Sequence, residues 1–107
     1  MSKNKKKINN FPKYEGLLHD SLKDKEDAKL YLQCAFDDYE RDADVGCLLL
    51  AIRDVVKAQD GMTELSQKTN LSRESLYKAL SSTGNPQFST VWAILNALGF
   101  HFVIESL

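Results

Sequence analysis

Residues 62–80, MTELSQKTNLSRESLYKAL, read as a short helix, a tight turn and a second short helix. Leu65, Thr69, Leu71, Leu76 and Ala79 recur where they can point inward together, with small Ser66 where the two helices cross. Ser72 opens the second helix, since its hydroxyl can accept a first-turn backbone N–H. Arg73, Glu74, Tyr77 and Lys78 are left outward, three to four residues apart, as one exposed helix face requires. An apolar helix pair presenting a polar, hydrogen-bonding face is what a helix-turn-helix DNA reader needs.

A helical hairpin in a plain bundle shows similar apolar spacing, so the pattern needs support. The turn Asn70-Leu71-Ser72 is very short and carries Asn where the backbone has to turn left-handed. The outward face mixes donors, an acceptor and an aromatic, unlike the Lys/Glu mixture of a merely solvated helix.

Charge is distributed in blocks. The 107 residues carry a formal net charge of −1, which does not mark a nucleic-acid binder. Yet residues 1–14 hold five lysines and no acid, and residues 15–45 hold ten acids against four basic residues, a net of −6. Residues 61–90 stand at +1. The length fits one domain, residues 14–107, behind a flexible basic tail, residues 1–13. That tail reads as a solvated segment in preference to an arm along DNA phosphates. Cys34 and Cys47 make neither a disulfide framework nor a zinc site and read as small buried hydrophobes. No metal or other cofactor is expected. The basic start is followed by no apolar core, and the run Cys47-Leu48-Leu49-Leu50-Ala51-Ile52 is too short to span a bilayer. The expected location is the cytoplasm.

The other elements follow in order. Phe11 to Leu22 is ambiguous, with Phe11, Tyr14, Leu17 and Leu18 as anchors that dock a segment on something. A helix is expected over 24–40, capped by Asp24, with Ala28, Tyr31, Leu32, Ala35, Phe36 and Tyr39 on one face. Its far end, Asp37-Asp38-Tyr39-Glu40-Arg41-Asp42, places acids where the helix dipole opposes them, either tolerated in solvent or kept for a basic partner. A second helix over 44–58 is apolar well beyond a narrow stripe, which suits packing on several sides. Gly61 supplies a left-handed stop. After the turn-rich Ser81-Ser82-Thr83-Gly84-Asn85-Pro86, a last helix over 90–98 is expected, capped by Ser89 or Thr90. It points Val91, Ile94, Leu95 and Leu98 inward and leaves Trp92 off that face, either a core edge or, by preference, an interface anchor. Residues 100–105, FHFVIE, alternate as a strand would. With no partner in the chain, that strand invites pairing with another chain, for dimerisation or for partner binding, and Trp92, Phe102 and Ile104 are the candidate dimer residues.

Three strings carry a resemblance: Leu71-Ser72-Arg73-Glu74-Ser75-Leu76-Tyr77-Lys78-Ala79-Leu80, Gly84-Asn85-Pro86 with Phe88, and Leu95-Asn96-Ala97-Leu98-Gly99-Phe100. Over about residues 14–104 the chain resembles the HigA-like addiction-module antidotes, small antitoxins with a lambda-repressor-like (XRE-type) fold. Asn70 stands where that family usually has Gly, and Ser66 where it has Ala. The resemblance implies an all-α domain of about five helices with a short C-terminal β-strand. It implies an antitoxin that neutralises a RelE/ParE-type toxin by direct binding and, as a homodimer, represses its own operon through double-stranded operator DNA. Carried residue by residue, the recognition positions are Ser72, Arg73, Glu74, Tyr77 and Lys78. Arg73 would donate to guanine, Glu74 accept from cytosine, and Lys78 take guanine or phosphate. Backbone N–H groups near Met62 and Ser89, with Thr63, Asn85 and Thr90, would hold phosphates. Toxins of this type are basic, so the acidic helix is the expected toxin surface, through Tyr31, Asp37, Asp38, Glu40 and Asp42.

A stand-alone phage-type repressor shares these features, as does an interaction module that has lost DNA binding. Catalysis is not expected: nothing in the sequence brings Cys34, Cys47, His19 and His101 together, and there is no phosphate-cradling Gly loop.

Overall fold

The computed structural model describes residues 12–107, and within them every regular element is a helix. In chain order these are α1 (Pro12–Ser21), α2 (Lys25–Asp42), α3 (Val45–Gln59), α4 (Gly61–Thr69), α5 (Arg73–Ala79) and α6 (Phe88–Ala97). Short polar side chains set three of the starts. Asp24 accepts the Asp27 amide at 3.0 Å, Asp44 the Cys47 amide at 3.2 Å and Ser72 the Ser75 amide at 3.0 Å. Each satisfies a first-turn N–H that its helix cannot satisfy internally.

The sixth helix is α1, formed by the segment whose state the sequence left open. Proline at a first helical position loses nothing, because that N–H has no intrahelical acceptor. Leu18 and Leu22, one turn apart, dock α1 against α3. The Gln59 side chain donates to the carbonyls of Leu22 at 2.7 Å and Lys23 at 3.1 Å, tying the end of α1 to the end of α3. The lysine-rich start and Phe11 lie outside the described residues.

Helix α3 is the centre of the packing. Leu48, Leu49, Ile52, Val55 and Val56 are buried on it, and α1, α2 and α4 all pack against it. That is why its apolar residues exceed one stripe. Each such side chain contributes roughly 1.5–3 kcal/mol when fully buried.

Gly61, at φ +85°, turns the chain from α3 into α4. Asn70, at φ 62°, ends α4 in the left-handed conformation its position in the short turn requires. The turn is held from both sides. Ser66 Oγ donates to the Leu71 carbonyl at 2.5 Å, and Thr69 Oγ1 accepts the Leu71 amide at 3.3 Å. Leu65, Leu76 and Leu80 are buried beneath it, with Thr69, Leu71 and Ala79 half-buried. The loop after α5 folds back tightly: a Cβ on Gly84 would lie 2.3 Å from the Ala79 carbonyl oxygen. Helix α4 packs on both α5 and α6.

Three expectations need correction. Residues 100–107 form no strand. Backbone N–H and C=O groups form a ladder only with a neighbouring strand, and none of the described residues supplies one. Phe102 instead sets its ring against Phe36 and Phe88, with centroids 5.8 and 5.5 Å away. Second, α6 starts at Phe88, ahead of the expected Ser89 or Thr90 cap. Gln87 is its extended N-cap residue and makes no side-chain cap bond. Third, Cys34 and Cys47 are exposed, because both lie off the apolar faces of α2 and α3.

Candidate functional site

The face formed by α4, its turn and α5 is built on the buried seam of Leu65, Leu76 and Leu80. The seam turns Ser72, Arg73, Glu74, Tyr77 and Lys78 out to solvent on α5, and Thr63 outward from α4. Ser72 is occupied as the cap of α5 and also donates to Ser75 Oγ at 2.9 Å. Arg73, Glu74 and Lys78 have no side-chain hydrogen bond or ion pair among the described residues. Tyr77, 37 % exposed, is different. The Arg53 guanidinium of α3 lies over its ring, 5.5 Å from the centroid. Sequence reading missed Arg53. The one available signal was a cationic residue inside the apolar run of α3, about one turn ahead of the next, Lys57.

The helix starts divide into two kinds. Those of α2, α3 and α5 are capped by side chains, whereas those of α4 and α6 have no side-chain cap bond. These are the two helices whose starts the sequence proposed as phosphate holders. Asp60, in the N-cap position of α4, is drawn to Lys68 Nζ at 2.9 Å, and that hydrogen bond holds the Lys68 pKa above its usual value. Asn85 is exposed on the loop before α6 and Thr90 half-buried in its first turn.

The acidic surface occupies the C-terminal half of α2. Asp37, Asp38, Glu40 and Asp42 are all exposed, but their surroundings differ. Asp37 accepts from Gln33 Nε2 at 3.1 Å, and Asp38 pairs with Arg41. Asp42 accepts the Asp44 amide at 2.9 Å and so helps shape the α2–α3 corner. Glu40 has no partner among the described residues. Tyr31 is half-buried and donates its hydroxyl to Asp54 of α3 at 2.8 Å, which ties it to the scaffold more than to a surface.

A groove of about 260 Å³ runs between α2 and α3, lined in part by Tyr31, Asp38, Tyr39, Asp42 and both cysteines. At its end the Cys47 thiol donates to Asp44 at 3.2 Å. That bond, then the Cys47 amide, holds the Asp44 carboxyl below its usual range. The same contact pushes the Cys47 thiol up, reinforced by the charges of Asp44, Asp42 and Asp38. No group of residues able to hold a metal ion occurs among the described residues. No helix among them is long and apolar enough to cross a membrane.

A further set of exposed side chains is apolar. Phe88 is 69 %, Trp92 47 % and Ile104 97 % exposed. Phe102, half-covered by Phe36 and Phe88, is less free than the sequence implied.

The chain is 34 % identical over 84 residues to an uncharacterized protein of Haemophilus influenzae (strain ATCC 51907 / DSM 11121 / KW20 / Rd), covering 78 % of this chain and 81 % of that one. No solved structure matches it significantly. The model of the family described as "Probable addiction module antidote protein" matches residues 13–106, from the second residue of α1 to the exposed C-terminal segment. With nearly its whole length matched, this chain belongs to the probable addiction module antidote family.

Proposed function

We propose that this chain is the antitoxin of a type II toxin–antitoxin module. It binds a small basic toxin of the RelE/ParE type through α2 and, as a homodimer, binds and represses its own operator through α5. The observation that carries the DNA half is the set of Arg73, Glu74 and Lys78, side by side on a rigidly held helix and unengaged by the rest of the described chain. Groups left unsatisfied on a fixed face are available to base edges and phosphates. The uncapped starts of α4 and α6 support phosphate contacts by Thr63, Asn85 and Thr90, because first-turn amides and the helix dipole both favour an anion.

Family membership supports the toxin half, since an antidote implies something to counteract. Among the described residues Glu40 has no partner and Asp37 only a neutral one, Gln33, so neither is paired with a cation, and these two fit a basic partner best. Trp92, Phe102 and Ile104 form the proposed dimer surface, with Phe88 joining them. In this reading residues 14–107 act as one unit behind the basic tail.

The test is co-expression with the protein encoded beside it, followed by affinity capture and by gel shift on the upstream DNA. A stoichiometric complex that restores growth, together with a shifted band, supports both halves. A shifted band without a partner would leave a stand-alone repressor.

A further inference from the structure

We propose that Arg53 of α3 is a phosphate-binding residue of the DNA surface, and that Tyr77 of α5 acts as its positioning platform in place of reading a base. The inference rests on the DNA-binding reading above. Arg53 is half-buried, and its guanidinium lies 5.5 Å from the centroid of the Tyr77 ring. It has no carboxylate partner among the described residues. Its neighbour Asp54 is engaged elsewhere, accepting the Tyr31 hydroxyl at 2.8 Å. A contact with the ring face uses the guanidinium's charge and leaves its five N–H donors unused. A planar cation held at a surface with its donors free is suited to bind phosphate oxygens.

The placement distinguishes phosphate from base. Helix α5 has seven residues, about 10 Å of length at 1.5 Å per residue, which fits within a major groove about 12 Å wide. Arg53 comes from α3, not from α5, and reaches this face only at the Tyr77 ring. A group beside the inserted helix meets the sugar–phosphate ridge, whereas Arg73, Glu74 and Lys78 remain on the inserted element itself. Tyr77, with a cation over its ring, braces that group.

Anisotropy titrations of the upstream duplex and of an unrelated duplex, from 50 to 200 mM salt, test this. Each phosphate neutralised contributes about 0.9 to the slope of log K against log salt. Arg53→Gln is expected to lower the slope by about 0.9 on both duplexes, so that over this range its affinity falls about 3.5-fold less than that of wild type. Tyr77→Ala is expected to lower it similarly, and to add little in the Arg53→Gln background. Arg53→Lys and Tyr77→Phe are expected to keep the wild-type slope, which separates charge and ring from a structural role. Wild-type binding with an unchanged Arg53→Gln slope overturns the proposal while leaving the DNA reading intact. A Tyr77→Ala loss confined to the upstream duplex, at unchanged slope, makes Tyr77 a base reader and overturns it too. A wild-type chain that binds neither duplex sinks both readings.

Discussion

Most cations of α2 and α4 are used differently from those around α5, Lys25 over the Phe100 ring being the exception. Lys29 pairs with Glu26, Arg41 with Asp38, and Lys68 with Asp60 and Glu64, all on exposed surface. Around α5, by contrast, Arg53, Arg73 and Lys78 have no carboxylate partner among the described residues. Exposed ion pairs contribute little to stability, commonly below about 1 kcal/mol, so the paired set is not what holds the fold. What the pairing does is cancel positive charge locally. It leaves α2 as a net acidic face and α5 as a face with free donors. A net charge of −1 thus hides an acidic α2 beside a near-neutral α5, because the five lysines of residues 1–14 offset most of the −6 of residues 15–45.

The outward face of α5 depends first on the seam beneath it. Leu76 is fully buried beneath α5. Leu76→Ala is expected to cost about 2–5 kcal/mol in urea unfolding and to weaken the proposed DNA binding with it. Loss of toxin binding at temperatures where the variant remains folded would show that the two faces are not independent.

The next largest effect concerns the free donors themselves. Arg73→Ala with Lys78→Ala is expected to weaken DNA binding by about 10- to 100-fold for each base no longer read, with the unfolding curve unchanged. Gel shifts beside thermal melts check this. A shifted melt with intact DNA affinity would mean the two residues serve the fold.

Asn70 sharpens the account of how the face is held. It is a non-glycine residue at φ 62°, at the turn that aims α5. Asn70→Ala is expected to destabilise by about 1 kcal/mol and Asn70→Gly to be near neutral, as denaturant midpoints would show.

The smallest expected effect lies on the acidic side. The Asp44 contact raises the Cys47 thiol, so Cys47 should alkylate more slowly than Cys34 at neutral pH, and Asp44→Asn should narrow the gap. Asp44 itself is held below its usual range in the folded chain. Its contribution to stability is therefore complete above its unfolded pKa and is lost as pH falls through the lower folded value. Mass spectrometry of the two alkylated cysteines and an acid-side melt series measure both.

Much of the scaffold was legible because it rests on local chemistry. Asp24 and Ser72 cap where short polar side chains before apolar periodicity must cap, whereas Asp44, read as the first residue of its helix, turns out to cap it. Asn70 turns left-handed because so short a turn leaves no other route. The apolar excess of α3 announced packing on several sides. What failed was long-range. Alternation over residues 100–105 is a necessary condition for a strand, but the ladder partner is a fact about another segment. The α6 start moved because Gln87 took an extended N-cap conformation without any cap bond to mark it. The exposure of Cys34 and Cys47 depends on which faces of α2 and α3 meet. The contact of Arg53 with Tyr77 joins residues twenty-four apart, beyond any periodicity. The candidate site was legible as a list of outward residues, and the division of Asp37 and Glu40 from the structurally engaged Asp42 and Tyr31 was not.

The central claim is that one chain carries two independent faces of opposite use. It is tested most directly by titrating the Asp37→Lys, Glu40→Lys variant against the protein encoded beside it and against the upstream duplex. We expect partner affinity to fall about tenfold or more, mainly through a slower association that salt affects less than in wild type, while DNA affinity holds or rises. Unchanged partner affinity, or a parallel loss of both partners, would contradict the division of labour between α2 and α5.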